Sequence, residues 1–224
     1  MSTMPSTRTT AGFARWAALG GVLYVVLFVI GNILLFAGAP AGDASPAKVI
    51  SWYADSGHRH RIGLGYALAG LGVFSFLWFL SSLRRAVSLY EAEDGFLTAL
   101  TTIGGVVYAT LSLAGLAVNN AIRTMSDDTY RHAVYPSLIH AANDAGYVLH
   151  ATGGAGAAAM IIAASLAALR AAAVPAWAAW LGIALGIVSL ASIAFFPQLA
   201  IAIWVLAASV LLFLRGARHA RTPA

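Results

Sequence analysis

Five polar side chains recur at helical spacing in the second half of the chain, and they are the residues best placed to do chemistry. They are His140, Asn143, Asp144, Tyr147 and His150. At about 100° per residue they share one stripe, about 120° wide, on a helix. A polar stripe on a membrane helix must face protein or water, because its exposure to lipid costs several kcal/mol. The stripe therefore predicts a polar contact inside the protein or a polar pocket.

Further polar residues are expected near this stripe. Asn119 and Asn120 end an apolar segment on the same side of the membrane, and Asn32 lies late in the first apolar segment. The candidate ion-pair partners of Asp144 are Arg59, Arg61, Arg123 and Arg131. Two interpretations stay open. Asp144 is bonded to an arginine and an asparagine and holds loops on helices, or the stripe lines a pocket for a small molecule or a lipid headgroup.

Metal, haem and hydrolytic chemistry are weakly supported by the spacing. His140 and Asp144 are four residues apart but have no third spaced ligand, and His58 and His60 flank arginines that repel cations. His150 has no second histidine in the membrane to complete a bis-His haem site. No metalloprotease or phosphate-loop motif is present. Five serines within the apolar segments (Ser75, Ser81, Ser82, Ser112 and Ser165) have no histidine or lysine nearby in sequence. We therefore predict no metal and no cofactor.

The amino-acid composition indicates that the chain lies in a membrane, so apolar helices must position the polar stripe. Of 224 residues, 60% are apolar and 9% are charged, against about 45–50% and about 25% in soluble domains. So few charges cannot cover a water-facing surface, which excludes an ordinary soluble enzyme, a disordered protein and a nucleic-acid binder. The net charge of +5 is interpreted as a topology signal and as contacts to lipid headgroups. There is no cysteine, so disulfide and thiolate chemistry are excluded.

Six apolar segments are each near the length that a membrane-spanning helix needs. They predict an all-α, polytopic membrane protein, a single domain built as a bundle of six transmembrane helices. The segments are Trp16–Phe36, Ile62–Leu83, Phe96–Val118, Gly146–Leu169, Trp177–Phe196 and Leu199–Leu214. The remaining regions are a short tail (1–12), two outer loops (37–61 and 120–136) and a basic tail (216–224).

The basic residues predict the orientation of the bundle. With the N-terminus inside, eight of the 13 lysines and arginines lie on the inner side and five lie in outer loops. Lysine and arginine are enriched in cytoplasmic loops, so both termini are expected to be cytoplasmic. The first segment is longer than the about 7–15 apolar residues of a signal peptide, and we expect it to be retained as a helix.

The first outer loop has helix signals of its own. Ser45 followed by Pro46 predicts an N-cap and a first helical position. A short helix over Ala47–Ser56 would then lie against the membrane interface, and Gly57 would end it.

Small residues four positions apart predict close helix packing. Gly182 and Gly186 form such a pair in the fifth segment, and Gly153 and Gly154 begin similar pairs in the fourth. Packing within the chain is the main interpretation, and a dimer face is the alternative.

Three stretches together resemble a known group of proteins. They are Ala47–Asp55 before the second segment, Phe76–Leu80 before Leu83-Arg84-Arg85, and Asp144–Tyr147 followed by Leu166–Arg170 and Val174–Gly182. Their order and spacing resemble uncharacterised six-helix membrane proteins of actinomycete-type bacteria, which are known only as a domain of unknown function. The resemblance covers most of residues 12–215. It implies six helices and a bacterial cytoplasmic (plasma) membrane, and it implies no activity.

Three functions are compatible with these features. The first is a non-enzymatic accessory or structural envelope component in the lipid bilayer, acting through helix packing on a second copy or on another membrane protein. It predicts an exposed small-residue face such as Gly182 and Gly186. The second is a binder or transporter of a small amphiphile or lipid, which predicts a cavity beside Asp144. The third is an intramembrane enzyme, which needs an acid, base or metal beside Asp144 or His150.

Overall fold

Helices form all the regular structure in the part of the chain that the computed structural model describes. It describes residues 7–91, 95–127, 135–194 and 196–219. The α-helices are α1 (Thr7–Ala18), α2 (Gly20–Phe36), α3 (Pro46–Ala54), α4 (Ser56–Tyr90), α5 (Phe96–Met125), α6 (Pro136–Arg170), α7 (Ala176–Ser189) and α8 (Phe196–His219), and a 3-10 turn (Ser192–Ala194) precedes α8. The prediction of an all-α chain is confirmed for these residues.

Five helical stretches are long and apolar enough to cross a membrane. They are Arg15–Phe36, Ser56–Tyr90, Phe96–Met125, Pro136–Arg170 and Pro197–Arg215. Such helices suggest a multi-pass membrane protein. The helix in the predicted fifth segment, α7, has only 14 residues, or about 21 Å, which is less than the about 30 Å of hydrocarbon. The count of six spans is therefore not confirmed.

The first predicted outer loop is largely helical, which corrects its bounds. The short helix forms, as α3, but Gly57 does not end it, because Gly57 lies inside the first turn of α4. Asp55 is the reason: its carboxylate accepts a hydrogen bond from the His58 N–H at 2.9 Å and so starts a new helix. The same hydrogen bond holds the pKa of the Asp55 carboxyl below its usual value. Arg59 and Arg61 are thus helical and not in a loop.

The second predicted outer loop is also shorter than expected. α5 continues to Met125 instead of ending at Val118, and the Arg123 Nε donates to the Asn120 Oδ1 at 2.9 Å within its last turns. Because Arg123 and Asn120 are hydrogen-bonded to each other along α5, these polar residues do not end the helix. Residues 128–134 lie outside the described part of the chain.

Two helix pairs cross at backbone contact. A Cβ placed on Gly31 of α2 would lie 2.7 Å from the Gly65 carbonyl oxygen of α4, and a Cβ on Gly104 of α5 would lie 2.5 Å from the Gly156 carbonyl oxygen of α6. Only glycine allows backbones to approach this closely. These two crossings hold α2 on α4 and α5 on α6.

The four glycines predicted to pack helices are buried against other helices of the same chain. A Cβ on Gly186 would lie 2.6 Å from the Ile162 side chain, and one on Gly182 would overlap Ser165. Gly154 contacts Ser192 in the same way. Gly153 faces Leu111 and Tyr108, where a Cβ would meet the nearest atoms at 3.4 Å. These contacts agree with packing within the chain, which was the main interpretation, and not with the alternative of an exposed face at Gly182 and Gly186, because α6 covers that face.

The bundle has two distinct ends. At one, α2 and α5 end and α4, α6 and α8 begin, and we call it the Asp144 end. At the other, Glu91 caps α5: its carboxylate accepts from the Leu97 N–H at 2.6 Å, the Thr98 N–H at 2.8 Å and the Thr98 hydroxyl at 2.7 Å. Burial acts to raise the pKa of Glu91, but these hydrogen bonds outweigh it and the pKa lies below its usual value. Gly95, at φ +62°, provides the left-handed turn before α5.

Candidate functional site

A cavity of about 640 Å³ lies at the Asp144 end, between α2, α5, α6 and α8. Its lining includes apolar side chains from α2, α5 and α8 and polar side chains from all four helices. The α7–α8 connection meets α6 at Tyr147, whose hydroxyl donates to the Ile193 carbonyl oxygen at 2.6 Å. Because α6 begins at Pro136, it extends about 16 Å beyond Tyr147. The cavity therefore forms where the α7–α8 hairpin falls short of its neighbours.

Aromatic rings form the inner wall of the cavity. The Tyr24 and Tyr108 hydroxyls are hydrogen-bonded to each other, and the His150 ring lies between Phe28 and Tyr108, with centroids 5.1 and 5.7 Å away. The His150 Nδ1 is 3.0 Å from the Ser112 hydroxyl. The structure thus brings a serine beside a histidine across 38 residues of sequence, which inspection of sequence neighbours missed.

Two residues of the predicted stripe tie the cavity to surrounding segments. The Asn143 Nδ2 donates to the Tyr53 hydroxyl of α3 at 3.4 Å, and Tyr147 donates to the Ile193 carbonyl oxygen as described. Burial raises the pKa of Tyr53, and the hydrogen bond from Asn143 opposes this shift. Each of these contacts uses a hydrogen-bond donor of the stripe.

Three further amides line the cavity from neighbouring helices. The Asn32 Nδ2 donates to the Phe28 carbonyl oxygen at 2.8 Å, and the Gln198 Nε2 donates to the Ser192 carbonyl oxygen at 3.2 Å. The Asn119 Oδ1 is buried against Gly146 and has no hydrogen-bond partner among the described residues. Gln198 was not singled out from the sequence. A lone amide in an apolar segment is the signal that could have found it, since polar groups in membrane helices are costly and rarely idle.

Asp144 lines the cavity and is exposed. Its carboxylate forms no ion pair or hydrogen bond with any described residue. The predicted partners were Arg59, Arg61, Arg123 and Arg131. The last of these lies outside the described residues. The expected ion pair of Asp144 with the first three is therefore absent from the structure.

The described arginines make other contacts, which explains this outcome. Arg59 donates to the Ala54 carbonyl oxygen, and Arg61 donates to the Ala37 carbonyl oxygen. Arg123 is bonded along its own helix, as described above. Because α4 starts early, Arg59 and Arg61 lie beside the ends of α3 and α2, where unpaired carbonyl groups accept their protons.

Five of the seven residues predicted to form a polar pocket line the cavity. They are Asn119, Asn143, Asp144, Tyr147 and His150. His140 and Asn120 are not in the lining. His140 lies one turn of α6 before Asp144, and the Asn120 oxygen accepts from Arg123. The polar stripe on α6 is thus longer than the part of it that lines the cavity.

A second cavity, of about 290 Å³, lies between α4, α6, α7 and α8 at the opposite end. Its lining is mainly apolar and includes Gly182, Trp204 and Arg215. The Arg215 Nη1 donates to the Tyr90 hydroxyl at 2.7 Å. None of the residues of the predicted stripe is part of it.

The described residues bring together no group of three or more His, Asp or Glu side chains that could hold a metal ion. Comparisons with protein-family models, curated proteins and solved structures gave no match. The resemblance to the uncharacterised six-helix group therefore stays a prediction.

Proposed function

We propose that this protein binds a small amphiphile or lipid molecule in the cavity at the Asp144 end. The observation that carries the proposal is a cavity of about 640 Å³ with apolar walls and a cluster of polar groups at one end. Small-molecule sites commonly occupy about 300–1,000 Å³ and combine an apolar lining with a few polar groups. An amphiphile matches this division, since its chain and its headgroup need different surroundings.

The walls of the cavity favour access from the side. Among its lining residues, Val29 and Ile33 on α2 and Leu199 on α8 are 46%, 59% and 53% exposed. Among the described residues, the hydrogen bond between these two helices lies towards the opposite end, where the Ser209 hydroxyl accepts from the Val22 N–H at 3.3 Å. A ligand dissolved in the bilayer could therefore reach the cavity between the Asp144-end halves of α2 and α8.

The proposal includes a topology. We infer six spans, with α7 and the 3-10 turn together making the fifth, both termini in the cytoplasm and the cavity facing outwards. The eight-to-five distribution of basic residues supports this orientation. A bacterial cytoplasmic membrane is the proposed location.

The other two functions have less support. An accessory component acting through a small-residue face would need Gly182 and Gly186 exposed, and both are buried. An enzyme could use Ser112 and His150 as a nucleophile and a base. However, no described carboxylate is bonded to His150, and the donors of Asn32, Asn143, Tyr147 and Gln198 are bound to other protein groups. Donors that could stabilise an oxyanion are what such chemistry would require.

The test is a native mass spectrum of the protein extracted gently from its own membrane. We expect one amphiphile per chain, released intact. Ala202→Trp should abolish its binding, because Ala202 lines the cavity. Val210→Trp is the matched control on the same helix, since Val210 is exposed and lines neither cavity. A wild-type protein without ligand, or equal retention in both variants, would overturn the proposal.

A further inference from the structure

We propose that the ligand of this cavity has a protonated amine headgroup, which binds to Asp144 and to neighbouring side-chain oxygens. This inference rests on the proposed function and specifies the chemistry of its ligand. It starts from an imbalance at the polar end of the cavity. There, the side chains of Asn32, Asn143, Tyr147 and Gln198 donate to protein acceptors, whereas the oxygens of the three amides and the Asp144 carboxylate accept no hydrogen bond from the described residues.

The amides at this end have their nitrogen atoms directed at protein acceptors. Asn32 and Gln198 donate to backbone carbonyl oxygens, and a carbonyl oxygen can only accept, so the orientation of both amides is determined. Asn143 donates to the Tyr53 hydroxyl. The side-chain oxygens of these three amides accept no hydrogen bond from the described residues. Tyr147 likewise donates its only hydroxyl proton to a carbonyl oxygen.

One stronger acceptor completes the set. The Asp144 carboxylate lines the cavity, is exposed and has no bound cation among the described residues. A primary ammonium group offers a positive charge and three N–H donors, which is the complement of these groups.

Headgroups of the opposite charge fit poorly. Carboxylates and phosphates are bound by arginine, lysine or backbone N–H groups, and none of the described arginines and lysines is part of the lining. Arg61 and Arg123 lie nearby but are bonded to Ala37 and Asn120. An anionic headgroup would in addition be repelled by Asp144.

The apolar part of the ligand has a defined place. Phe28, Val29 and Ile33 of α2 and Leu199 of α8 line the cavity beyond its polar end. An alkyl chain between these two helices would place its amine towards α5 and α6, where Asn119 and Asp144 lie.

The experiment compares four probes with the same chain and different headgroups. Dodecylamine, dodecyltrimethylammonium, dodecanol and dodecanoate are titrated into the protein in zwitterionic lipid nanodiscs. Binding is read by native mass spectrometry and expressed per mole fraction in the lipid, so that differences in partitioning cancel. We expect dodecylamine to bind tightest, because it has both the charge and the N–H donors. The quaternary ammonium should follow, and dodecanoate should be weakest.

Asp144→Asn should weaken dodecylamine binding about tenfold or more, as expected for the loss of a charge-assisted hydrogen bond, and should leave dodecanol binding nearly unchanged. The matched control is Asp43→Asn, which removes the same charge from an exposed residue near this end that is not in the lining. Equal effects of the two variants would overturn the inference. So would equal binding of all four probes or preferred binding of dodecanoate, although both leave the proposed function standing. If no probe binds and Ala202→Trp changes nothing, the proposed function fails as well.

Discussion

The crossing of α5 and α6 provides a quantitative test of the fold that holds the cavity. Gly104 and Gly156 face each other there, and the change is Gly104→Ala. The added Cβ would lie 2.5 Å from the Gly156 carbonyl oxygen and 2.7 Å from the Met160 backbone nitrogen. Both neighbours are backbone atoms, so no side-chain rotation can relieve the overlap.

The size of the effect follows from this geometry. Non-bonded heavy atoms prefer separations of about 3.5–4.0 Å, so the two helices must move apart by about 1 Å at the crossing. Overpacking of a well-packed interior costs about 1–3 kcal/mol. Alanine is a better helix former than glycine, and this difference offsets up to about 1 kcal/mol of the overpacking cost. We therefore expect the free energy of unfolding to fall by about 1–2 kcal/mol.

The assay is reversible unfolding in mixed micelles of a mild detergent and SDS. Gly70→Ala is the matched control, because Gly70 lies in α4 and no atom lies within 4 Å of a Cβ placed there. That variant should be as stable as the wild type or slightly more stable. Equal stability of Gly104→Ala and Gly70→Ala would refute the conclusion that the two backbones are in contact. The α5 wall of the cavity would then not depend on this crossing.

Three further predictions concern residues outside the cavity, two from their contacts and one from the proposed topology. The folded-state pKa of Glu91 lies below its usual value of 4.5, so its contribution to stability is present above that pH and is lost as the pH falls through the folded pKa. Unfolding measured from pH 7 to pH 3 should show a smaller acid loss in Glu91→Gln, and an unchanged profile would contradict its capping role. Ser209→Ala should lower the free energy of unfolding by about 0.5–1.5 kcal/mol. The reason is that the Ser209 hydroxyl on α8 accepts from α2 and donates to a carbonyl oxygen. The control is Ser81→Ala, at an exposed serine bonded to its own helix, which should change the free energy of unfolding little. Since the chain has no cysteine, Asp43→Cys and Ser88→Cys give clean labelling sites, and a membrane-impermeant maleimide should label only the first in intact cells if the termini are cytoplasmic.

The polar residues on α6 were predicted in part because they lie on one helix. Helical periodicity placed Asn143, Asp144, Tyr147 and His150 on a common face, and all four line the cavity. The stripe also contained His140, which is not in the lining. Periodicity describes the direction of side chains around one axis, but it contains no information about where neighbouring helices begin and end.

The errors at helix ends have a local cause. The segment bounds followed apolar content, so the second helix was predicted to begin at Ile62 and the third to end at Val118. Asp55 starts α4 earlier by accepting from the His58 N–H, and Arg123 is bonded to Asn120 within α5. Polar side chains that form local hydrogen bonds can extend a helix beyond its apolar stretch. For this reason Arg59, Arg61 and Arg123 lie in helices and not in loops.

The sequence by itself determined the class of the protein. With 60% apolar and 9% charged residues, it can satisfy its backbone in lipid only by forming apolar helices. It also determined that Asp144 shares a face with other polar groups. Only the tertiary structure decided that this face borders a cavity, because the cavity depends on α2, α5, α6 and α8 meeting at particular heights. It also decided which donors are already bound and which acceptors, such as the side-chain oxygens of Asn32 and Gln198, have no donor among the described residues. Those pairings join residues far apart in the chain, such as Tyr24 with Tyr108 and Ser112 with His150, and they form only when the helices pack.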